Sequence, residues 1–353
     1  MRFAYCPYRL DFKEPAGTSR GVLQKKLTCL VKVYDERQPE LYGLGEAAVF
    51  EGLSREAGAP YEPKLIELMA NVALGRPTDL TDFPSIQFGF EQAICDFSNG
   101  GRGIYFPSTF TQGEGFIRIN GLVWMGQIGR MLERLEEKVE AGFRCIKLKI
   151  GAIDFTSELR MLKAIRSRFD ADTLEIRVDA NGGFTMDNVI PVLHKLASYQ
   201  VHSIEQPIQA GHPDLMAFLC NISPVKIALD EELIGLNRTE QKAEMLDTIR
   251  PSYIILKPAL CGGFSGAREW IELAGERGIG WWVTSALESN VGLSALAQWV
   301  ATLGVDMPQG LGTGALFTNN FPSPLDLQSD RLSFDPSRLP LDRSAIDALP
   351  WIS

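Results

Sequence analysis

The chain has 353 residues, 45% of them hydrophobic, with a formal net charge of −9. That composition excludes a disordered or fibrous chain and leaves room for a barrel with an appendage or for two domains. The acidic balance, with no block of Lys and Arg, excludes a nucleic-acid surface and an anionic-membrane surface as the expected partner and leaves a small molecule.

The first residues hold no long apolar run with a cleavage site, and no later stretch approaches a membrane span, so a soluble, cytoplasmic protein is expected. Cys6, Cys29, Cys95, Cys145, Cys220 and Cys261 are scattered. They show neither CxxC spacing nor paired spacing, which fits a reduced compartment.

"RFAYCPYRLDF" (2–12) and "KLTCLVKVY" (26–34) read as an antiparallel pair joined by the loop "EPAGTSRG". "PSIQFGFEQAICDF" and the runs before it read as helices. A strand-then-helix rhythm begins at "FIRINGLVWMG" and continues through "CIKLKIG", "EIRVDANGG", "SIEQPI", "IALDEEL", "YIILKPAL", "GWWVTSALES" and "PQGLGTG". Helical spacing of Ile128, Met131, Leu132 and Leu135 marks one intervening helix, and "DFTSELRMLKAIRSRF" marks another. Counting "FIRING" as the first strand gives eight, at intervals of roughly 25 to 30 residues, the period of a parallel (β/α)8 barrel. The Pro-, Asp- and Ser-rich tail then leaves the barrel and returns to the N-terminal region. The expected layout is α/β: an α+β capping domain over 1–115, a modified TIM barrel over 116–315, and a tail over 316–353 that rejoins the cap.

Barrel enzymes carry their chemistry at the C-terminal ends of the strands. Those ends hold Lys147 and Lys149, then Asp179, Glu205, Asp230 and Lys257. Residues two apart in a strand face one way, so Lys147 and Lys149 project together. Their mutual repulsion is expected to lower the pKa of at least one, which makes Lys149 a candidate general base. Asp179, Glu205 and Asp230 are expected to converge as an all-oxygen set suited to a hard divalent cation such as Mg²⁺.

On "KLK" (147–149), "VDANGGF" (178–184), "IEQP" (204–207), "ALDEE" (228–232) and "LKP" (256–258), the chain resembles the enolase superfamily, in the muconate lactonizing enzyme subgroup. The resemblance implies a barrel with a capping domain and a Mg²⁺ ion, for which Mn²⁺ can substitute. It further implies a carboxylate substrate whose α-proton passes to an enzyme base, giving an enediolate. By carry-over Lys149 is the base, Lys147 supplies charge, and Lys257 lies across the substrate.

Within the subgroup, "PAGTSRG" (15–21), "GLGEAAVFEGLS" (43–54), "INGLVWMG" (119–126), "TSALESNVGLSALAQ" (284–298) and "GLGTGALFTNN" (310–320) are most similar to a dehydrating branch. Its reaction converts a succinyl-substituted hydroxycyclohexadiene carboxylate into an aromatic product for menaquinone synthesis. The alternatives are racemization or epimerization of N-succinylamino acids or dipeptides, with Lys149 and Lys257 on opposite faces, and a non-catalytic binding barrel. "GLGTGALF" lacks the Asp-x-Asp usual in dipeptide epimerases.

Several loop residues have two readings each. Thr18, Ser19 and Arg20 either close over the substrate, with Arg20 on a carboxylate, or form the tip of a hairpin. Ser285, Glu288 and Ser289 line the pocket, or Ser289 caps the next helix. Gly312 and Gly314 bring backbone amides to an anion or make a turn. Glu46 reads as structural, at the interface between cap and barrel. His194 and His202 read as packing or surface residues. "GGFSGA" (262–267) lacks the Gly-Lys-Ser/Thr of a P-loop, so no nucleotide cofactor is expected.

Overall fold

In the computed structural model, described over residues 1–18, 21–123, 128–151 and 155–353, the N-terminal sheet consists of three antiparallel strands in sequential order. These are β1 (Arg2–Thr18), β2 (Gly21–Asp35) and β3 (Gln38–Ala47). Alternation in β1 and β2 sends Phe3, Tyr5, Val31 and Val33 into a core shared with Leu65, Leu68 and Ile86 of two helices, α1 (Tyr61–Leu74) and α2 (Pro84–Ser98). β3 lies almost backbone to backbone on α2. A Cβ on Gly45 would stand 2.1 Å from the Gly89 carbonyl oxygen, so only glycine lets the sheet approach this closely.

Within the expected loop at 14–21, Ala16, Gly17, Thr18 and Gly21 are paired in the ladder. After a register shift between Asp11 and Ala16, the ladder resumes at Ala16 opposite Leu23 and ends at Thr18 opposite Gly21.

The second sheet is parallel and seven-stranded, in unbroken sequence order. Its strands and helices alternate from β5 (Gly121–Val123), α3 (Ile128–Glu140), β6 (Cys145–Lys149), α4 (Phe155–Arg166) and β7 (Glu175–Asp179) to α5 (Val189–Ser198). They continue through β8 (Ser203–Glu205), α6 (Pro213–Ile222), β9 (Lys226–Leu229), α7 (Thr239–Ile249), β10 (Tyr253–Leu256), α8 (Gly263–Glu276), β11 (Gly280–Val283) and α9 (Asn290–Ala301). Two of the expected eight strands differ. Within "FIRING", β4 (Ile117–Arg118) pairs antiparallel with the tail, and the first parallel strand is β5.

"PQGLGTG" makes single parallel bridges, Gln309 to Ile119 and Gly310 to Thr284, that join the two edges of the curled sheet. Backbone hydrogen bonds make the closure, Gly310 N to Val283 O (2.8 Å) and Ser285 N to Gly310 O (3.0 Å) on one side, Gln309 N to Arg118 O (2.8 Å) and Asn120 N to Gln309 O (2.9 Å) on the other. The buried Gln309 carboxamide adds to them by accepting from Val283 N at 2.7 Å and donating to Met307 O at 2.7 Å. A Cβ on Gly310 would lie 2.1 Å from Thr284 Oγ1, so this closure also depends on glycine.

The tail forms the hairpin β12 (Leu325–Gln328) and β13 (Arg331–Phe334), on which β4 adds, and ends with α10 (Ser344–Asp347). It then meets β1: Ile352 bridges Tyr5, and Phe317 bridges Phe12. All six cysteines are free, and among the described residues no helix is long and apolar enough to cross a membrane.

Glu56 precedes α1 and accepts from Ser85 N at the start of α2 (2.9 Å), while its second carboxyl oxygen is buried with no hydrogen-bond partner among the described residues. Burial pushes this carboxyl up to about 8, against the Ser85 hydrogen bond that pulls it down. The folded chain therefore keeps its proton to higher pH than the unfolded chain, so stability falls as pH rises from about 4.3 to 8, by up to about 5 kcal/mol. Glu56→Gln is expected to abolish that fall and to exceed the wild type in urea unfolding at pH 9 but not at pH 5. Parallel stability curves for the two proteins would refute this assignment.

Candidate active site

The site grows out of strand register. Lys149, Asp179 and Glu205 are direct partners across β6, β7 and β8, so one rung at the C-terminal ends carries an ammonium and two carboxylates on the same face. Lys147 stands opposite Arg177 one step below, and its ammonium reaches up to Asp179 (2.8 Å) and Glu205 (2.5 Å). Lys149 contacts Asp179 and the Asn181 amide oxygen, each at 2.6 Å. Asp230 and Lys257 each follow the last residue of a strand, β9 and β10, and pair with one another.

Below this layer the barrel is plugged. Arg177 stacks over Trp282 at 4.3 Å and donates to Glu175 (2.7 Å) and Pro308 O (2.9 Å).

This arrangement corrects two expectations. The lysines do not simply repel each other: burial alone would lower Lys147, but Asp179, Glu205 and Asp230 outweigh it and hold the ammonium above its ordinary value. Lys257 is likewise lowered by burial but raised overall by Asp230, Glu231 and Glu205. Asp179 is pushed up by burial, yet Lys147 and Lys149 hold it well below the usual carboxylate range. Glu205 is driven well above that range by burial and then by Asp179.

Nor do the three carboxylates form a bare triad. Among the described residues no three His, Cys, Asp or Glu side chains close around one point, because Lys147 bridges Asp179 and Glu205 while Lys257 takes Asp230. In a low-dielectric interior each carboxylate takes the nearest cation. The donors nonetheless suit a hard cation. All are carboxylate oxygens, and Glu205 Oε1 is buried with no hydrogen-bond partner among the described residues, an acceptor for which the protein offers no donor.

Above the charged layer lies a cavity of about 390 Å³ that reaches Lys147, Lys149, Asn181, Lys257, Ser285 and Thr313. Leu23 of β2 and Phe50, in the segment that follows β3, line it as well, so cap and barrel share its wall.

Gly312 lines the cavity, whereas Gly314 packs beneath it, where a Cβ would meet Asn290 Oδ1 at 3.0 Å. Ser285 lines the cavity but its hydroxyl is already used: it donates to Glu288 and accepts from Leu287 N (3.0 Å) and Thr313 Oγ1 (2.9 Å). Glu288 is fully buried behind it and also accepts from Ala286 N at 3.0 Å. Ser289 is the helix cap of α9, accepting from Val291 N at 3.2 Å.

Glu46, in β3, receives Thr28 Oγ1 (2.8 Å), Ser289 N (3.0 Å) and Gly292 N (3.1 Å) and thereby joins the N-terminal sheet to the start of α9. Thr18 ends β1 and its side chain is outside the described residues, as are Ser19 and Arg20. His194 is exposed on α5, and His202 contacts Ser203 and Tyr253 at the opposite end of the barrel.

Two residues at the site went unread in the sequence. Asn181 has φ 44°, accepts from Lys149, and donates to Glu231 at 2.9 Å, which fixes which end of its amide faces the lysine. Its signal was its place in "VDANGGF", two residues after the acid. Thr313 lies between the two glycines that were read.

Residues 130–330 match the family described as enolase C-terminal domain-like, and the chain belongs to that family. Over 92% of its length, and 96% of the relative's, the chain is 46% identical to an o-succinylbenzoate synthase of Desulfotalea psychrophila. The crystal structure of MenC from that organism superposes with a TM-score of 0.83 at 42% identity, covering 94% of this chain and 99% of the other. An L-amino acid-D/L-Glu epimerase of Francisella philomiragia is 28% identical over 49% of this chain and 48% of the epimerase.

Because Asp179 serves two buried ammonium groups, Asp179→Asn is expected to cost about 3–5 kcal/mol of stability in chelator. Urea unfolding measures this, and a loss below about 1 kcal/mol would show that the lysines do not depend on Asp179.

Proposed function

We propose that this chain catalyses the o-succinylbenzoate synthase reaction, the syn dehydration of 2-succinyl-6-hydroxy-2,4-cyclohexadiene-1-carboxylate to o-succinylbenzoate in menaquinone biosynthesis. The observation that carries this reading is the 46% identity to an o-succinylbenzoate synthase across 92% of the chain. The activity is that of a carbon–oxygen lyase. Residues 1–115 and 316–353 act as the cap over a barrel of 116–315, and the free cysteines support a cytoplasmic location.

Asp179, Glu205 and Asp230 are the residues to hold Mg²⁺, or Mn²⁺ in its place. When bound, the ion supplies fixed positive charge at the substrate carboxylate, which makes the neighbouring α-proton easier to remove. Lys149, oriented by Asn181, accepts that proton and returns it to the departing hydroxyl on the same face of the ring. One C–H and one C–O bond break, a ring C=C forms, water leaves, and aromaticity drives the step. Lys147 and Lys257 remain cationic and offset the negative charge that develops, with Lys257 able to face the forming ring. The dipeptide epimerase reading gains no support from the 310–320 segment, which offers no carboxylate for a substrate ammonium; an N-succinylamino acid carries no such ammonium, so its racemization stays the alternative.

The test is an assay of the purified protein with the cyclohexadiene substrate, following the aromatic product by ultraviolet absorbance. Turnover is expected to require Mg²⁺ and to fall about 10²–10⁴-fold in Lys149→Ala. Mg²⁺ should also raise the melting temperature of the wild type and not of Asp179→Asn. A folded, metal-binding wild type without turnover would sink the synthase reading and direct the assay to N-succinylamino acids.

A further inference from the structure

The circuit of the barrel falls into two arcs. From β6 to β10 the strands end in acids and lysines throughout: Lys147, Lys149, Asp179, Glu205, Asp230 and Lys257. The arc that remains runs from β11 through the bridging residues 309–310 to β5, and it carries uncharged side chains instead. Gly310 bridges Thr284 and Gln309 bridges Ile119, while Val283 of β11 pairs with Leu256 of β10. One step along, Asn120 lies beside Gly310 and Thr284 beside Lys257, so these residues form one rung. Leu122, two residues on from Asn120, pairs with Lys147, which sets both on the inner face.

Asn120 is only 6% exposed, and it lines the cavity together with Gly310, Thr284 and Lys257. Its backbone N–H donates to Gln309 O at 2.9 Å, but its carboxamide makes no hydrogen bond among the described residues. The neighbouring hydroxyl does not meet it. Thr284 gives its proton to Gly310 O at 3.1 Å, and Gly310 puts no side chain into the rung. A buried carboxamide has two N–H donors and an acceptor to satisfy, and leaving it without a partner is costly. No protein group fixes which end of this amide faces the cavity, so a ligand can take either its N–H or its oxygen.

The substrate of the reaction proposed above brings a ring carboxylate, a departing hydroxyl, a ketone and a second carboxylate at the end of the succinyl chain. The ring carboxylate belongs with the charged arc, and the hydroxyl leaves beside Lys149. A second carboxylate calls for a cation, whereas a neutral N–H donor matches a neutral oxygen. We propose that Asn120 is a substrate-binding residue whose carboxamide N–H donates to the succinyl ketone oxygen, from the uncharged arc of the barrel. Proton loss spreads negative charge over ring positions alternate to the one that bears the ketone. The hydrogen bond is therefore as strong before the reaction as during it, and it serves binding and substrate choice without accelerating the chemical step. This inference rests on the synthase reading.

Calorimetry in Mg²⁺ tests this with two ligands: o-succinylbenzoate, and 2-(3-carboxypropyl)benzoate, in which a methylene replaces the ketone. The wild type is expected to bind the ketone about tenfold more tightly, and Asn120→Leu and Asn120→Ala to bind the two ligands within about twofold of one another. In the synthase assay both variants should raise KM about tenfold and leave kcat nearly unchanged. Their melting temperatures should not fall, because no hydrogen bond inside the protein is lost with the carboxamide.

Variants that keep the tenfold preference, or that lose affinity for both ligands alike, would overturn the assignment, as would a wild type that binds the two ligands equally. A steep fall in melting temperature in both variants would make the carboxamide structural and overturn it as well. Any of these results in a wild type that turns over the cyclohexadiene leaves the synthase reading standing. A wild type that neither turns it over nor binds o-succinylbenzoate removes that reading and this inference together.

Discussion

Charge balance in a buried layer is the constraint on which the rest of this structure depends. Three buried carboxylates, Asp179, Glu205 and Asp230, and three partly buried lysines, Lys147, Lys149 and Lys257, sit at the ends of five consecutive parallel strands. Removing one member of such a layer leaves an opposite charge buried without its partner, which is costly. The parallel ladder makes the layer possible, because register sets Lys149, Asp179 and Glu205 side by side without help from loops.

A charged layer of this kind needs a scaffold that cannot slide. The barrel supplies it beneath, through Arg177 on Trp282 and through the Gln309 and Gly310 backbone that ties both sheet edges. The N-terminal sheet supplies it above, where Glu46 gathers the start of α9 and the Ser285 loop. The cavity lies where these two supports meet. Its floor is charged and its walls are largely apolar, a combination suited to a carboxylate attached to a ring.

Much of this was legible in the residues. The rhythm of apolar runs predicts the barrel, and acids and lysines at strand ends predict the site, because a period-two strand emerging from a barrel has few ways to place Asp179 or Lys257. The three-stranded sheet was only partly legible, since Gly43 and Gly45, which let β3 contact α2, interrupt its apolar pattern in the sequence though not the strand itself. "FIRING" reads as a barrel strand because Ile117 and Ile119 alternate, yet its pairing partner lies more than two hundred residues away in the tail.

The sequence by itself determined the order of the strands, which chemistry-bearing side chain ends each one, and the family to which that pattern belongs, because these follow from local periodicity and residue type. Only the tertiary structure decided who pairs with whom. It made Lys147 a bridge between two carboxylates, left Ser289 a helix cap and Ser285 a saturated hydroxyl, and brought Asn181 to Lys149. The physical reason is that hydrogen bonds and buried charges depend on distances of a few ångströms between residues far apart in the chain, and no local pattern encodes those distances.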